Sequence, residues 1–159
     1  MMELLSLILQ DAFWSALAAL GFALLFNVPR RTLVYCMIAG ALGHAIRTLF
    51  VTQFGFSIEF ATLIGAIVIG FWAKNRAYHM KVPSMIFGIT GVIPMVPGVF
   101  AYQTMIGLLE LTLLPDLDAA PVLLAEVAVN AIHTGLILGA LALGIASPML
   151  IFNRKKPVV

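Results

Sequence analysis

The stretch Thr32–Gln53, TLVYCMIAGALGHAIRTLFVTQ, decides how the chain is read. It is long enough to cross a bilayer, which takes about 20 mostly apolar residues. Arg47 is its only Asp, Glu, Lys or Arg, and His44 lies one turn before it. A charge at membrane depth costs about 2.5–3.5 kcal/mol on insertion scales. Arg47 therefore needs a partner or a wet path. The rest of the chain has the same character. Of 159 residues, 62% are hydrophobic and 10% charged, and the mean hydropathy is +1.09. A soluble domain carries about 25% charge. That excludes a soluble enzyme and a disordered chain. The nine Lys and Arg, with a net charge of +2, form no groove-sized patch for nucleic acid. An all-α polytopic membrane protein remains.

Working outward, the chain reads as a single transmembrane domain over 1–159 with five spans, at about 4–26, 32–53, 58–78, 82–114 and 119–146. The first has Asp11 inside it and no basic segment before it, so it reads as a membrane span and not a signal peptide. The uncharged core of the third, Phe60–Ala73, is short. That span must run past Ala73, with Lys74 and Arg76 snorkelling. The fourth is too long to be straight and is broken near 94–98. The fifth carries Glu126, Asn130 and His133 and closes at Ser147-Pro148. Cys36 is alone, so no internal disulfide forms. There is no clear internal repeat.

Loop charge alternates. Arg30, Arg31, Lys74, Arg76, Lys81, Arg154, Lys155 and Lys156 fall on one set of connections, and Glu3, Glu59, Glu110, Asp116 and Asp118 on the other. Lys and Arg stay cytoplasmic. The expected topology puts the N-terminus outside and the C-terminus inside. Trp14 and Trp72 are expected interface anchors, one at each side.

Counted along the helices, Asp11, Arg47 and Glu126 all fall in the outer half of the bilayer. Asp11 and Glu126 are therefore candidate partners for Arg47. Such a group is either a structural ion pair or a substrate or proton site. His44 shares a face with Gly40 and Arg47 and is either a proton relay or a satisfied interhelical hydrogen bond. Glu126, Asn130 and His133 form one polar stripe, and Ala131, Gly135 and Gly139 form a small-residue stripe suited to close helix packing. No metal-ligand spacing occurs, no cofactor is implied, and no nucleophile–base set supports an enzyme.

Ile93-Pro94-Met95-Val96-Pro97-Gly98 is the most specific local feature. It lies roughly 18 Å into the fourth span, near the midplane. Two prolines remove two backbone donors, and Gly98 can adopt unusual dihedrals. The expected result is a broken helix with exposed carbonyls before the break and free N–H groups after it, able to bind an anion. Tyr102 and Gln103 follow one turn later and can hydrogen-bond a polar ligand. The alternative is a plain proline kink.

These residues resemble the threonine/serine exporter family, and in particular its short YjjB-type subunit. The likeness is carried by Phe26-Asn27-Val28-Pro29, Gly43-His44-Ala45-Ile46-Arg47, Ile58-Glu59-Phe60-Ala61-Thr62, the Pro94–Gly98 motif with Tyr102, and the run Gly139–Pro157. The resemblance implies export of small carboxylates, either threonine and serine or C4-dicarboxylates such as succinate. It implies the bacterial cytoplasmic (inner) membrane, a larger YjjP-type partner subunit, and importance for Asp11, Asn27, His44, Arg47, Glu59, Pro94, Pro97, Gly98, Tyr102 and Asn130. Pro29 belongs to the same motif. Glu126 and His133 rest on depth alone. Five spans enclose a polar path poorly, so a partner or homo-oligomer is expected. The competing reading is a non-transporting scaffold or assembly subunit.

Overall fold

The structure, a computed structural model, describes residues 2–113 and 119–152. The acidic loop residues Asp116 and Asp118 and the basic tail from Asn153 lie outside the described residues. The fold is all-α, as expected. The helices are α1 (Met2–Leu25), α2 (Leu33–Phe54), α3 (Ile58–Met80), α4 (Met85–Val92), α5 (Gly98–Leu113) and α6 (Ala120–Phe152). Four of them are long and apolar enough to cross a membrane. Met85–Met95 and Gly98–Leu113 together make a fifth span when read as one broken helix. Large side chains such as Leu5, Phe13, Phe60, Leu124 and Ile132 are exposed along these helices, as suits a lipid-facing surface.

Contacts divide the chain into two compact units. One takes the described residues of Met1–Met95 and Ala140–Val159, the other those of Val96–Gly139. In the first unit, small residues let the backbones approach. A Cβ added at Gly40 would strike Ala19 and the Ser15 carbonyl. One at Gly65 would strike the Gly43 carbonyl, one at Gly91 would strike Ala39, and one at Gly144 would strike Ala66. Lipid offers no hydrophobic drive between helices, so such close packing holds them together. These crossings, and not Gly135 and Gly139, carry the tight packing. A Cβ at either of those two positions meets nothing within 4 Å, so the expected close packing at these two glycines is absent among the described residues.

The turns after α1 and α3 are built alike. Asn27 and Lys81 both adopt the left-handed conformation, with φ of 53° and 54°. The next residue is Val in each case, and its N–H reaches back to the last turn: Val28 to Ala23 O at 2.9 Å, Val82 to Ala77 O at 3.2 Å. This closes the helix by capping its orphan carbonyls. Pro29 and Pro83 then prevent the helix from continuing. Val28 and Val82 pack against one cluster built on Ala23, Cys36, Ala73 and Phe87. Val-Pro also occurs at Val96-Pro97, where the preceding Met95 is not left-handed, so the two turns share a conformation and not a sequence repeat. That conformation assigns Asn27 and Pro29 a structural task.

The last helix differs from expectation. Ser147-Pro148 does not close it, because α6 runs on through Pro148 to Phe152.

Candidate functional site

Two places collect the residues singled out from the sequence. The first lies in the unit built on α1 to α4. The helix of the fourth span tightens to a 3₁₀ turn over Ile93–Met95 and stops, and α5 begins at Gly98. The backbone is therefore interrupted at the expected place. Gly98 does not use its conformational freedom: Gly55 is the glycine with positive φ, and Gly98 is simply the first residue of α5. Its N–H donates to the Val96 carbonyl at 2.8 Å, and the Ala101 N–H donates to Pro97 O at 3.1 Å. The first turn of α5 is thus partly satisfied.

One carbonyl at the break finds a partner on α2. Arg47 Nη1 donates to Met95 O at 3.1 Å, and Nη2 contacts His44 Nε2. Arginine can only donate, so Nε2 accepts and the His44 ring proton sits on Nδ1. That nitrogen faces Asp11 Oδ2 at 3.7 Å. Asp11 in turn accepts a 2.6 Å bond from the Thr48 hydroxyl. The expected direct pair between Asp11 and Arg47 is replaced by a chain: Thr48, Asp11, His44, Arg47 and the Met95 carbonyl. The broken backbone draws the guanidinium away from Asp11, and His44 stands between. The contact between His44 and Asp11 joins α1 to α2. A recess of about 270 Å³ opens beside it, lined by Asp11, Trp14, Ser15, Ala18, His44 and Pro94. Thr48 and the Met95 carbonyl escape sequence reasoning. Thr48 follows Arg47 directly, and a carbonyl has no side-chain signature.

The second place lies in the unit of Val96–Gly139. Tyr102, Gln103 and Glu110 of α5 and Glu126 and Asn130 of α6 line one open groove of about 530 Å³. Helical spacing puts Gln103 and Glu110 on one face of α5, and Glu126 and Asn130 on one face of α6. Gly107 sits between them against Val127. Glu110 marked only a span end in the sequence, yet it belongs to the groove. Its spacing of seven from Gln103 was the available signal. His133 does not line the groove. Its ring stacks on Phe100 at 5.1 Å. Glu126, a candidate partner for Arg47, belongs to this second unit.

Glu59 occupies the first turn of α3, where an acidic side chain favours the helix dipole. Among the described residues no group of three or more His, Cys, Asp or Glu could hold a metal.

The family model for "Threonine/Serine exporter, ThrE" matches residues 11–151. The chain belongs to the threonine/serine exporter family. It is also 40% identical over 152 residues to an uncharacterized protein of Haemophilus influenzae, covering 96% of this chain and 50% of that protein. The chain thus spans about half the length of this curated relative. No solved structure matches it. The matched range begins at Asp11 and takes in the α1–α2 charge chain, the break and the α5–α6 groove. It makes this chain a member of a transporter family with multiple membrane helices.

Proposed function

We propose that the chain is the short membrane subunit of a secondary exporter for small carboxylates, threonine and serine or C4-dicarboxylates such as succinate. It works with a larger YjjP-type subunit in the bacterial inner membrane, and residues 1–159 act as one transmembrane domain. The observation that carries this reading is the ionisable chain from Asp11 through His44 to Arg47, which ends on the carbonyl of a broken membrane helix. Ionisable groups inside spans mark transport paths by default, and discontinuous helices supply backbone groups to them. Tyr102, Gln103, Glu126 and Asn130 then belong to the path. His133 supports it through Phe100. The half-length match to the Haemophilus influenzae relative supports a partner for the other half. In this reading Arg30, Arg31 and Lys81 face the cytoplasm.

The deciding experiment uses vesicles loaded with threonine or succinate and reconstituted with this chain, with the larger subunit, or with both. Efflux that needs both proteins supports the proposal. Efflux that is unchanged when this chain is left out would reject it.

A second reading has a specific observation behind it. Arg47 and Asp11 both make bonds that serve the fold, one to Met95 O and one from Thr48. A non-transporting scaffold needs no more than that. Asp11→Asn combined with Arg47→Gln removes both charges. Full transport by that variant would favour the scaffold.

A further inference from the structure

A third cavity is absorbed by neither site. It is an open groove of about 390 Å³ in the first unit, between α3, the start of α4 and the end of α6. Helices α3 and α6 run the same way beside it: Gly144 packs at Ala66, Gly70 at Ile145, and Lys74 at Pro148. The deep part of the groove is apolar, with Gly70, Ala142, Ile145 and Ala146. The shallow part holds Lys74 and Ser84. Ser84 precedes the first residue of α4, and Lys74 is six residues from the end of α3, so this part lies near a membrane boundary.

Lys74 is half-buried there. It donates to Pro148 O at 3.2 Å and lies 4.3 Å over the Phe152 ring. No ion pair found among the described residues involves it. An ammonium has three donors, and the carbonyl takes one. The Ser84 hydroxyl makes no cap bond to α4. A cation with spare donors therefore stands at the mouth of an apolar groove whose depth points into the bilayer.

We propose that this groove holds one anionic phospholipid, with an acyl chain along Ala142 and Ile145 and its phosphate on Lys74 and Ser84. Charge complementarity selects the headgroup, because basic pockets between membrane helices bind anionic lipid. The apolar depth selects a lipid over a free anion, since inorganic phosphate would leave that wall uncovered.

Native mass spectrometry of the full chain, released from micelles doped with phosphatidylglycerol or phosphatidylcholine, tests this. The wild type should retain phosphatidylglycerol in preference. Lys74→Gln should weaken that retention about fivefold, the loss expected for one interfacial cation, and Lys74→Arg should keep most of it. Ala146→Phe leaves the charge and fills the groove, so it should lose both lipids. Arg31→Gln, outside the groove, should change nothing. Glycerol phosphate should not compete. Should Lys74→Gln not fold, as read by circular dichroism, Ala146→Phe decides. Wild-type retention in Ala146→Phe, unchanged preference in folded Lys74→Gln, competition by glycerol phosphate, or a second copy of the chain retained in place of lipid would each overturn the proposal.

Discussion

Pro148 and the pair Pro94 and Pro97 set a membrane helix the same problem and meet different ends. Each proline deprives the carbonyl four residues before it of a donor. At Pro148 that carbonyl is Gly144 O. The Ser147 hydroxyl donates to it at 2.7 Å, and Gly70 on α3, having no side chain, lies directly against it. The defect is mended locally, and α6 continues to Phe152. At Pro94 and Pro97 two donors are lost within one turn. The helix tightens, stops and restarts at Gly98, and the Met95 carbonyl is taken by a side chain of another helix. One lost bond is repaired by a neighbour in sequence. The two lost at Thr90 O and Ile93 O end the helix instead, and that end leaves Met95 O without the Val99 N–H a continuous helix would offer; Arg47 takes it, which ties the break to Asp11 and His44.

The largest effect should come from removing this difference. Replacing Pro94 and Pro97 by Ala together restores both donors, and the helix should heal through Gly98. Met95 O then gains a backbone partner, and Arg47 loses its place. Reconstituted efflux should fall to background while expression and thermal stability hold or rise. A variant that exports normally would reduce the motif to a kink.

Arg47 is the other half of the same contact. Arg47→Ala should abolish efflux and leave Met95 O unpaired, costing about 1–3 kcal/mol in thermal unfolding of detergent-purified protein, with membrane insertion retained. Arg47→Lys should rescue poorly, because a point ammonium cannot reach both Met95 O and His44 Nε2 as the guanidinium fork does. A fully active Lys variant would show that charge alone suffices and that the two-sided contact has no role.

The repair at Pro148 depends on Gly70. A Cβ there would sit 2.8 Å from Gly144 O and 3.1 Å from Ile145 O, with Pro148 Cδ equally near. Gly70→Val should destabilise by about 1–3 kcal/mol, seen as a lower midpoint in thermal unfolding. Gly98→Ala, where an added Cβ meets nothing within 4 Å, should be nearly silent. Equal stability of the two variants would contradict the packing described for α3 and α6.

The sequence made the class and the break legible because both are local. Apolar run length reads directly as membrane helix, and two prolines three apart read as an interruption. Glu126 and Asn130 are legible through helical spacing, which sorts residues onto faces, and Gln103 through its place one turn after the break. Pairing was not legible. Depth counting put Asp11 and Arg47 at one level but could not say that His44 would stand between them, or that a broken backbone competes for the guanidinium. The small-residue stripe at Gly135 and Gly139 had the right spacing and no neighbour. Gly40, Gly65, Gly91 and Gly144 had weaker patterns and bear the crossings. A glycine's worth depends on what faces it, and one chain's spacing does not contain that.

The smallest effect, and the sharpest test of the comparison, concerns Ser147. If its hydroxyl replaces the donor that Pro148 removes, the two residues are coupled. In the wild type, Ser147→Ala strips Gly144 O of its hydrogen bond and should cost about 1 kcal/mol. In a Pro148→Ala background the backbone N–H of residue 148 can serve Gly144 O instead. Pro148→Ala alone should therefore change stability little, since one donor exchanges for another. Ser147→Ala added to it should then cost almost nothing. The double-mutant cycle isolates this term because both changes act on one carbonyl. Equal costs of Ser147→Ala in both backgrounds would mean that the hydroxyl bond at 2.7 Å is incidental. The continuity of α6 through Pro148 would then rest on the contact with Gly70 alone.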